Sequence, residues 1–331
     1  MTLRLILNIA LLLVLGFCVL PELVWFQLSI TLALFLELWL TIALWRRIRK
    51  RPVSTPTWQS AAQRALGVVG ILGWGTVIGL YASSQYWPAT VGRYELSNGK
   101  QTVIFQGVAH IAVPDLYNTI EADLRARTQE DYVLYYEGIQ PGKAENVQKL
   151  AVMVGSKFTQ NSYPQVAKAL GLEAQDQQRF INIQKDRAQV ADMTVDEFVA
   201  AYEHRFGPID LPALNPAQAH KNAETPDHFA AFADNMAAYS AEEQAKIQPI
   251  AHALMSVMLH LAPRIMAHQK LFQVALDTRN EHVVKQILAN PQDTKIYLLY
   301  GDAHLPGVLK GLQAHDASWK MHSQTRLKIF K

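Results

Sequence analysis

Three long apolar runs fill most of the first 83 residues, and no other feature constrains the architecture so strongly. Leu5 to Leu20 is closed by Pro21-Glu22. Leu23 to Trp45 has only Gln27, Ser29, Thr31, Glu37 and Thr41 as polar members, and Ala65 to Ser83 is rich in glycine. About 20 apolar residues cross the hydrocarbon core of a bilayer, with roughly 17–25 seen in practice. The second and third runs meet that length. The first is short, but the bulky Phe17-Cys18-Val19-Leu20-Pro21 offers no signal-peptide cleavage site, and a second run follows at once. The pattern predicts a transmembrane helical hairpin over residues 1–45, a basic cytoplasmic loop over 46–64 and a third transmembrane helix over 65–83. Arg46-Arg47-Ile48-Arg49-Lys50-Arg51 lies in that loop. Lys and Arg accumulate on the cytoplasmic side of membrane proteins. The N-terminus is therefore expected inside and residues 84–331 outside, in the periplasm if the cell is bacterial, with the lipid bilayer as one partner.

Two details of the apolar region bear on partners. Glu37 is a charged group within a span, which is costly; it reads as a side chain near the interface or as a contact to an ion or another protein. Gly75 and Gly79 form a GxxxG pair. Small residues let helices approach closely, which suits a homodimer or packing against the chain's own hairpin.

Charge divides the chain in the same place. Residues 1–83 hold seven Lys/Arg against two acids, a net +5, and residues 84–331 hold 24 against 26, a net −2. The sequence pI of 8.8 thus reflects one short loop. A nucleic-acid partner needs a basic face on the folded domain, and none is expected here. Cys18 is the only cysteine, so an internal disulfide and a CxxC metal clip are both impossible.

Beyond a linker at 84–92, strand and helix patterns alternate. Lys100 to Phe105 is a β-type run, Asp115 to Arg127 is amphipathic with Leu116, Ile120 and Leu124 at helical spacing, and Tyr132 to Tyr136 is a buried-strand candidate. Val283, Val284, Ile287 and Leu288 mark a helix before the buried run Lys295 to Tyr300, and another helix begins at Val308. Between these halves the chain is helical in character. Thr194 to Glu197 reads as a capping box, and a long periodic stretch runs from Ala241 to Leu288, interrupted by Pro249 and Pro263. The expected architecture is α/β, with a mostly parallel central sheet and a large helical insertion at about 142–278, preceded by three transmembrane helices.

The chemistry gathers at predicted strand ends. The first strand ends in Gly107-Val108-Ala109-His110, the next in Glu137, and the last in Gly301-Asp302-Ala303-His304. Ligands bind outside the carboxyl ends of the strands in open parallel sheets, and a glycine lets the chain turn so that a histidine three residues on swings back over the edge. Two imidazoles and a carboxylate are a frequent set for a divalent transition metal. His110, His304 and Glu137 are the expected ligands, with Glu137 either third ligand or general base. Arg279 is placed to hold a substrate carboxylate or a developing oxyanion.

These residues resemble the TraB/Tiki (GumN-like) superfamily. Its pattern is matched by Gly107/His110, Glu137, the pair Arg279-Asn280, and Gly301/His304 followed by Leu305-Pro306-Gly307. Ala191-Asp192-Met193-Thr194 is similar to a mid-domain segment of the family, and the resemblance covers roughly residues 100–315. It implies an outward-facing, metal-dependent hydrolase, a peptidase acting on peptide or protein outside the cytoplasm, with Glu137 and Arg279 catalytic. Asn280, Asp192 and Asp302 then fall to substrate binding, Asp302 being a departure from the small residue usual beside the second histidine. The alternative is a non-catalytic module on the same fold that binds a peptide or haem. His252, His260 and His268 recur every eight residues among Met255, Met258 and Met266; they read as a haem site or as ordinary helix positions. No Gly-x-Ser-x-Gly elbow and no phosphate-binding glycine loop is present.

Overall fold

The computed structural model describes residues 86, 88–154, 162–209, 228–266, 269–290 and 292–330. All of these belong to one compact unit running from Leu80 to Lys331. The unit opens with a hairpin. Strand β1 (Thr90–Ser97) pairs antiparallel with β2 (Thr102–Val108). Asn98 and Gly99 close it: the Asn98 side chain accepts from the amides of Lys100 (3.0 Å) and Gln101 (2.8 Å). Gly99 takes a φ of 84°, a conformation that disfavours other residues.

The chain then crosses over. A short strand β3 (Ile111–Ala112) leads to helix α1 (Pro114–Gln129) and β4 (Val133–Tyr136). Next come α2 (Ala144–Val154), α3 (Ser162–Ala169), β5 (Glu173–Ala174), α4 (Gln177–Gln184) and β6 (Gln189–Val190). Among the described residues, four helices follow: α5 (Val195–Phe206), α6 (His228–Ala237), α7 (Ala241–Met266) and α8 (Lys270–Ala289). Strand β7 (Lys295–Gly301), a 3-10 turn at Asp302–His304, α9 (Leu305–His315) and β8 (Lys320–Lys328) complete the order.

The main sheet runs β6-β4-β7-β2-β1-β8, and β3 pairs with β5 in a separate ladder. Strands β6, β4, β7 and β2 are parallel, whereas β1 is antiparallel to both β2 and β8. The sheet is therefore mixed, with an antiparallel edge of β1 and β8 added to its parallel part. The cause is local: the Asn98-Gly99 turn folds β1 back onto β2, so Thr90 to Gly92 belong to a strand and not to a linker. The expected transmembrane helices are not supported either. Among the described residues no helix is long and apolar enough to cross a membrane, and the runs at 5–20, 23–45 and 65–83 lie outside those residues. The Gly75/Gly79 pair and Glu37 lie outside them as well.

Strand β7 is the centre of the sheet. Its Ile296 to Tyr300 are buried, as expected of a parallel strand covered on both faces. Ile296, Leu298 and Tyr300 join Val103 and Phe105 of β2, Val283, Val284 and Ile287 of α8, and Val308 and Leu312 of α9 in one core. The stretch 142–278 is less separate than the sequence suggests. It contains β6, which is part of the main sheet, and the first half of α8. Met193, Phe198 and Val274 form a second core with Leu150, Tyr202 and Leu271, which ties α2 and α5 to the start of α8. The long periodic stretch from Ala241 divides between Met266 and Lys270; Pro249 sits within α7.

Candidate functional site

The carboxyl ends of β4, β6 and β7 lie side by side, and each delivers one polar group. Glu137 follows β4 directly, Asp192 follows β6 by two residues, and Gly301 ends β7. Backbone bonds hold the register: Glu137 N donates to Leu299 O (3.0 Å) and Ala191 N to Tyr136 O (2.9 Å). Arg279 reaches the same place from α8, which runs back over the sheet toward β7. The eleven residues of helix from Arg279 to Ala289 climb about 15 Å, close to the about 20 Å that β7 rises from Lys295 to Gly301.

Arg279 sits between two carboxylates. Its Nε donates to Asp192 Oδ1 (3.0 Å), and one terminal nitrogen donates to Asp192 Oδ2 (2.6 Å) and to Glu137 Oε1 (2.6 Å). Its guanidinium also lies over the Tyr300 ring at 5.2 Å. Asp192 is fully buried and accepts from the amides of Gly138 (3.1 Å) and Met193 (2.9 Å). The second oxygen of Glu137 accepts from Gly301 N at 2.6 Å. Burial by itself lowers the Arg279 pKa, but the Asp192 hydrogen bonds and the Glu137 charge outweigh it, so the guanidinium is held above its usual value.

His304 is bound to the next residue of the same helix. Its Nδ1 is 2.8 Å from Asn280 Oδ1, which makes Nδ1 the protonated nitrogen and leaves the lone pair on Nε2. The ring packs edge-on to Tyr300 at 4.7 Å and is only 5% exposed. Burial, then the Arg279 charge, lower its pKa from 6.5 to about 4, so the imidazole is neutral at physiological pH.

Glycine matters here for space rather than for backbone freedom. Gly301 has ordinary angles (φ −55°, ψ 131°), yet a Cβ there would stand 3.3 Å from Glu137 Oε2 and 3.4 Å from His304 Cδ2. A Cβ on Gly307 would overlap the Asn280 amide, with Cγ at 2.7 Å. Gly107 remains inside β2, and the Asp302 carboxylate fills the space beside it. The expected sharp turn off each strand at the glycine is not the reason for either residue.

The two Gly-x-x-His segments start one residue out of register, since Val108 and not Gly107 pairs with Gly301 across β2 and β7, and then part. After β7 the chain winds into the 3-10 turn, which returns His304 to the cluster. After β2 it bends at His110 and enters β3, and Gln175 N donates to His110 O at 2.8 Å. His110 is exposed, with Nδ1 3.2 Å from Gln175 Oε1 and its ring 4.8 Å from that of Tyr163. It makes none of the cluster's hydrogen bonds. Asp302 faces the other way, accepting from Gly92 N at 2.9 Å and lying 3.5 Å from Arg326, so it ties the end of β7 to β1 and β8. His252 is bonded to Leu170 O (2.9 Å) and His260 to Ser256 O (2.7 Å); His268 lies outside the described residues.

The donor types suit a divalent ion, which His110, Glu137 and His304 would hold; as they stand, His110 shares no hydrogen bond with the other two. Among the described residues no three His, Cys, Asp or Glu side chains gather closely enough to hold one. Both Glu137 oxygens are bonded, one to a cation and one to an amide. The set as it stands supplies a neutral imidazole, an ion-paired carboxylate and a buried guanidinium, which is the equipment of proton transfer and of carboxylate orientation. Tyr163 and Gln175 have no motif around them, and the sequence does not point to either. Gln177 was missed too; its side chain donates to Glu137 O. No family model, curated protein or solved structure matches the chain.

Proposed function

We propose that the strand-end cluster is the reaction centre of a hydrolase acting on peptides or proteins, the activity that the TraB/Tiki resemblance implies. One observation carries this reading: at the ends of parallel strands Arg279 binds both Glu137 and Asp192, and the next residue of its helix, Asn280, holds His304 beside them. In the forward step a water oxygen bonds to the scissile carbonyl carbon and its proton passes to His304 Nε2. The C–N bond then breaks, and the imidazolium gives that proton to the leaving amine. Asn280 holds the ring in the accepting tautomer. Glu137, with 17% of its side chain exposed, is the carboxylate that faces an incoming water, and Asp192 fixes Arg279 beside it.

The test is a panel of internally quenched peptides offered to the full-length chain. The wild type cleaves a subset, and Glu137→Gln and His304→Gln each lose about 10²–10⁴-fold in kcat/KM. Cleavage unaffected by a chelator supports proton transfer by side chains alone, and cleavage restored only by Zn²⁺ or Mn²⁺ would place an ion at the cluster. No cleavage of any peptide, with or without those ions, would remove the reading.

A further inference from the structure

Hydrogen bonds divide the cluster into two halves. In one, Arg279 binds Asp192 and Glu137; in the other, Asn280 binds His304. The bond to Asn280 leaves the imidazole one freedom. It fixes where Nδ1 sits and which tautomer forms, but the ring can still tilt about the line of the bond. A proton acceptor has to present its lone pair in a set direction, so the plane of the ring needs a second constraint.

Tyr300 supplies it. The residue is last but one in β7, and strand alternation puts it on the face of Ile296 and Leu298, in the core shared with α8 and α9. The chain then passes Gly301, whose amide is held by Glu137, and the 3-10 turn brings His304 back to the Tyr300 ring. The two rings meet edge to face, with centroids 4.7 Å apart and an interplanar angle of 88°. Such a contact holds one ring perpendicular to the other. The Arg279 guanidinium lies 5.2 Å from the centre of the same tyrosine ring, within reach of a cation–π contact. Tyr300 thus touches both halves of the cluster. Its hydroxyl lies near Asp192 without completing a hydrogen bond, so the ring carries these contacts.

We infer that Tyr300 is a positioning residue, whose buried ring sets the plane of the His304 imidazole and holds it in register with Arg279. The inference rests on the hydrolase reading. Its test is the full-length chain on the best peptide of the panel, with kcat and KM read for each variant at a temperature where its melting curve shows it folded. Tyr300→Leu keeps an apolar side chain and removes the ring. The expected result is a fall in kcat of about 10²-fold with KM within about threefold of wild type. Tyr300→Phe, which keeps the ring, restores kcat to within about threefold. Leu298→Ala, two residues back on the same face, controls for core filling: it lowers the melting temperature and leaves kcat within about threefold. A Tyr300→Leu variant as fast as an active wild type overturns the inference and leaves the hydrolase reading standing. So does an equal fall in kcat for Leu298→Ala, or a Tyr300→Leu chain with no cooperative melt, since either marks the ring as core filling. A Tyr300→Phe variant as slow as Tyr300→Leu overturns it by assigning the loss to the hydroxyl. A wild type that cleaves nothing overturns both.

Discussion

At the scale of single residues, the cluster is held by charges that cannot be removed one at a time. Arg279 is 8% exposed and Asp192 not at all. Breaking such a pair leaves an uncompensated buried charge, which costs about 3–5 kcal/mol. Asp192→Ala should therefore lower unfolding free energy by that amount in urea titration, and a loss below about 1 kcal/mol would contradict the pairing described here. Gly307→Ala places a methyl group where the Asn280 amide sits. Overpacking of that kind costs about 1–3 kcal/mol, and because Asn280 is displaced from His304, peptide cleavage should fall further than the stability change alone would cause. Glu137, Arg279 and His304 were readable from the sequence, because each stands beside a predicted strand end or helix, whereas Asp192 and Asn280 were reached only through the family resemblance. Gln177, whose side chain donates to Glu137 O, was not readable at all, because no motif surrounds it.

At the scale of elements, the insertion serves the site by fixing the two stretches that carry Asp192 and Arg279. Helix α5 begins with the expected capping box: Thr194 Oγ1 accepts from Glu197 N at 3.2 Å, and Glu197 accepts from Thr194 N at 2.7 Å. Thr194 is two residues from Asp192, and the helix that it starts packs on α8 through the second core. Thr194→Ala should cost about 1 kcal/mol, measured by thermal unfolding, and no change would mean that the cap is redundant with that packing. Strand β7 was plain in the sequence as a continuous apolar run. Strand β8 was not: its residues are exposed or only partly covered because it is an edge strand paired on one side. Strand β6 is only two residues long and has no pattern of its own. Its place in the sheet comes from pairing with Tyr135 and Tyr136.

At the scale of the whole molecule, the buried imidazole makes stability depend on pH. Above about 6.5 His304 is neutral in both the folded and the unfolded chain and contributes nothing to the dependence. As pH falls from 6.5 to about 4, only the unfolded chain takes up the proton, so the folded state loses stability through that window. At about 1.4 kcal/mol per pH unit the total is about 3 kcal/mol. Chemical denaturation across the window should show this loss in the wild type and not in His304→Gln. The difference between the two curves separates the ring from Asp302, whose carboxyl burial pushes upward. Parallel curves would mean that the ring is protonated in the fold. The sequence by itself determined that the segments of β2, β4 and β7 form strands and that Glu137 and Gly301 stand at the ends of the last two, because burial on both faces is written in local pattern. Only the tertiary structure decided that His304 turns into the cluster while His110 turns away, that Asp302 braces an edge, and that a hairpin makes the sheet mixed. Those outcomes depend on pairings between residues far apart in the chain, and no local pattern encodes a distance across the fold.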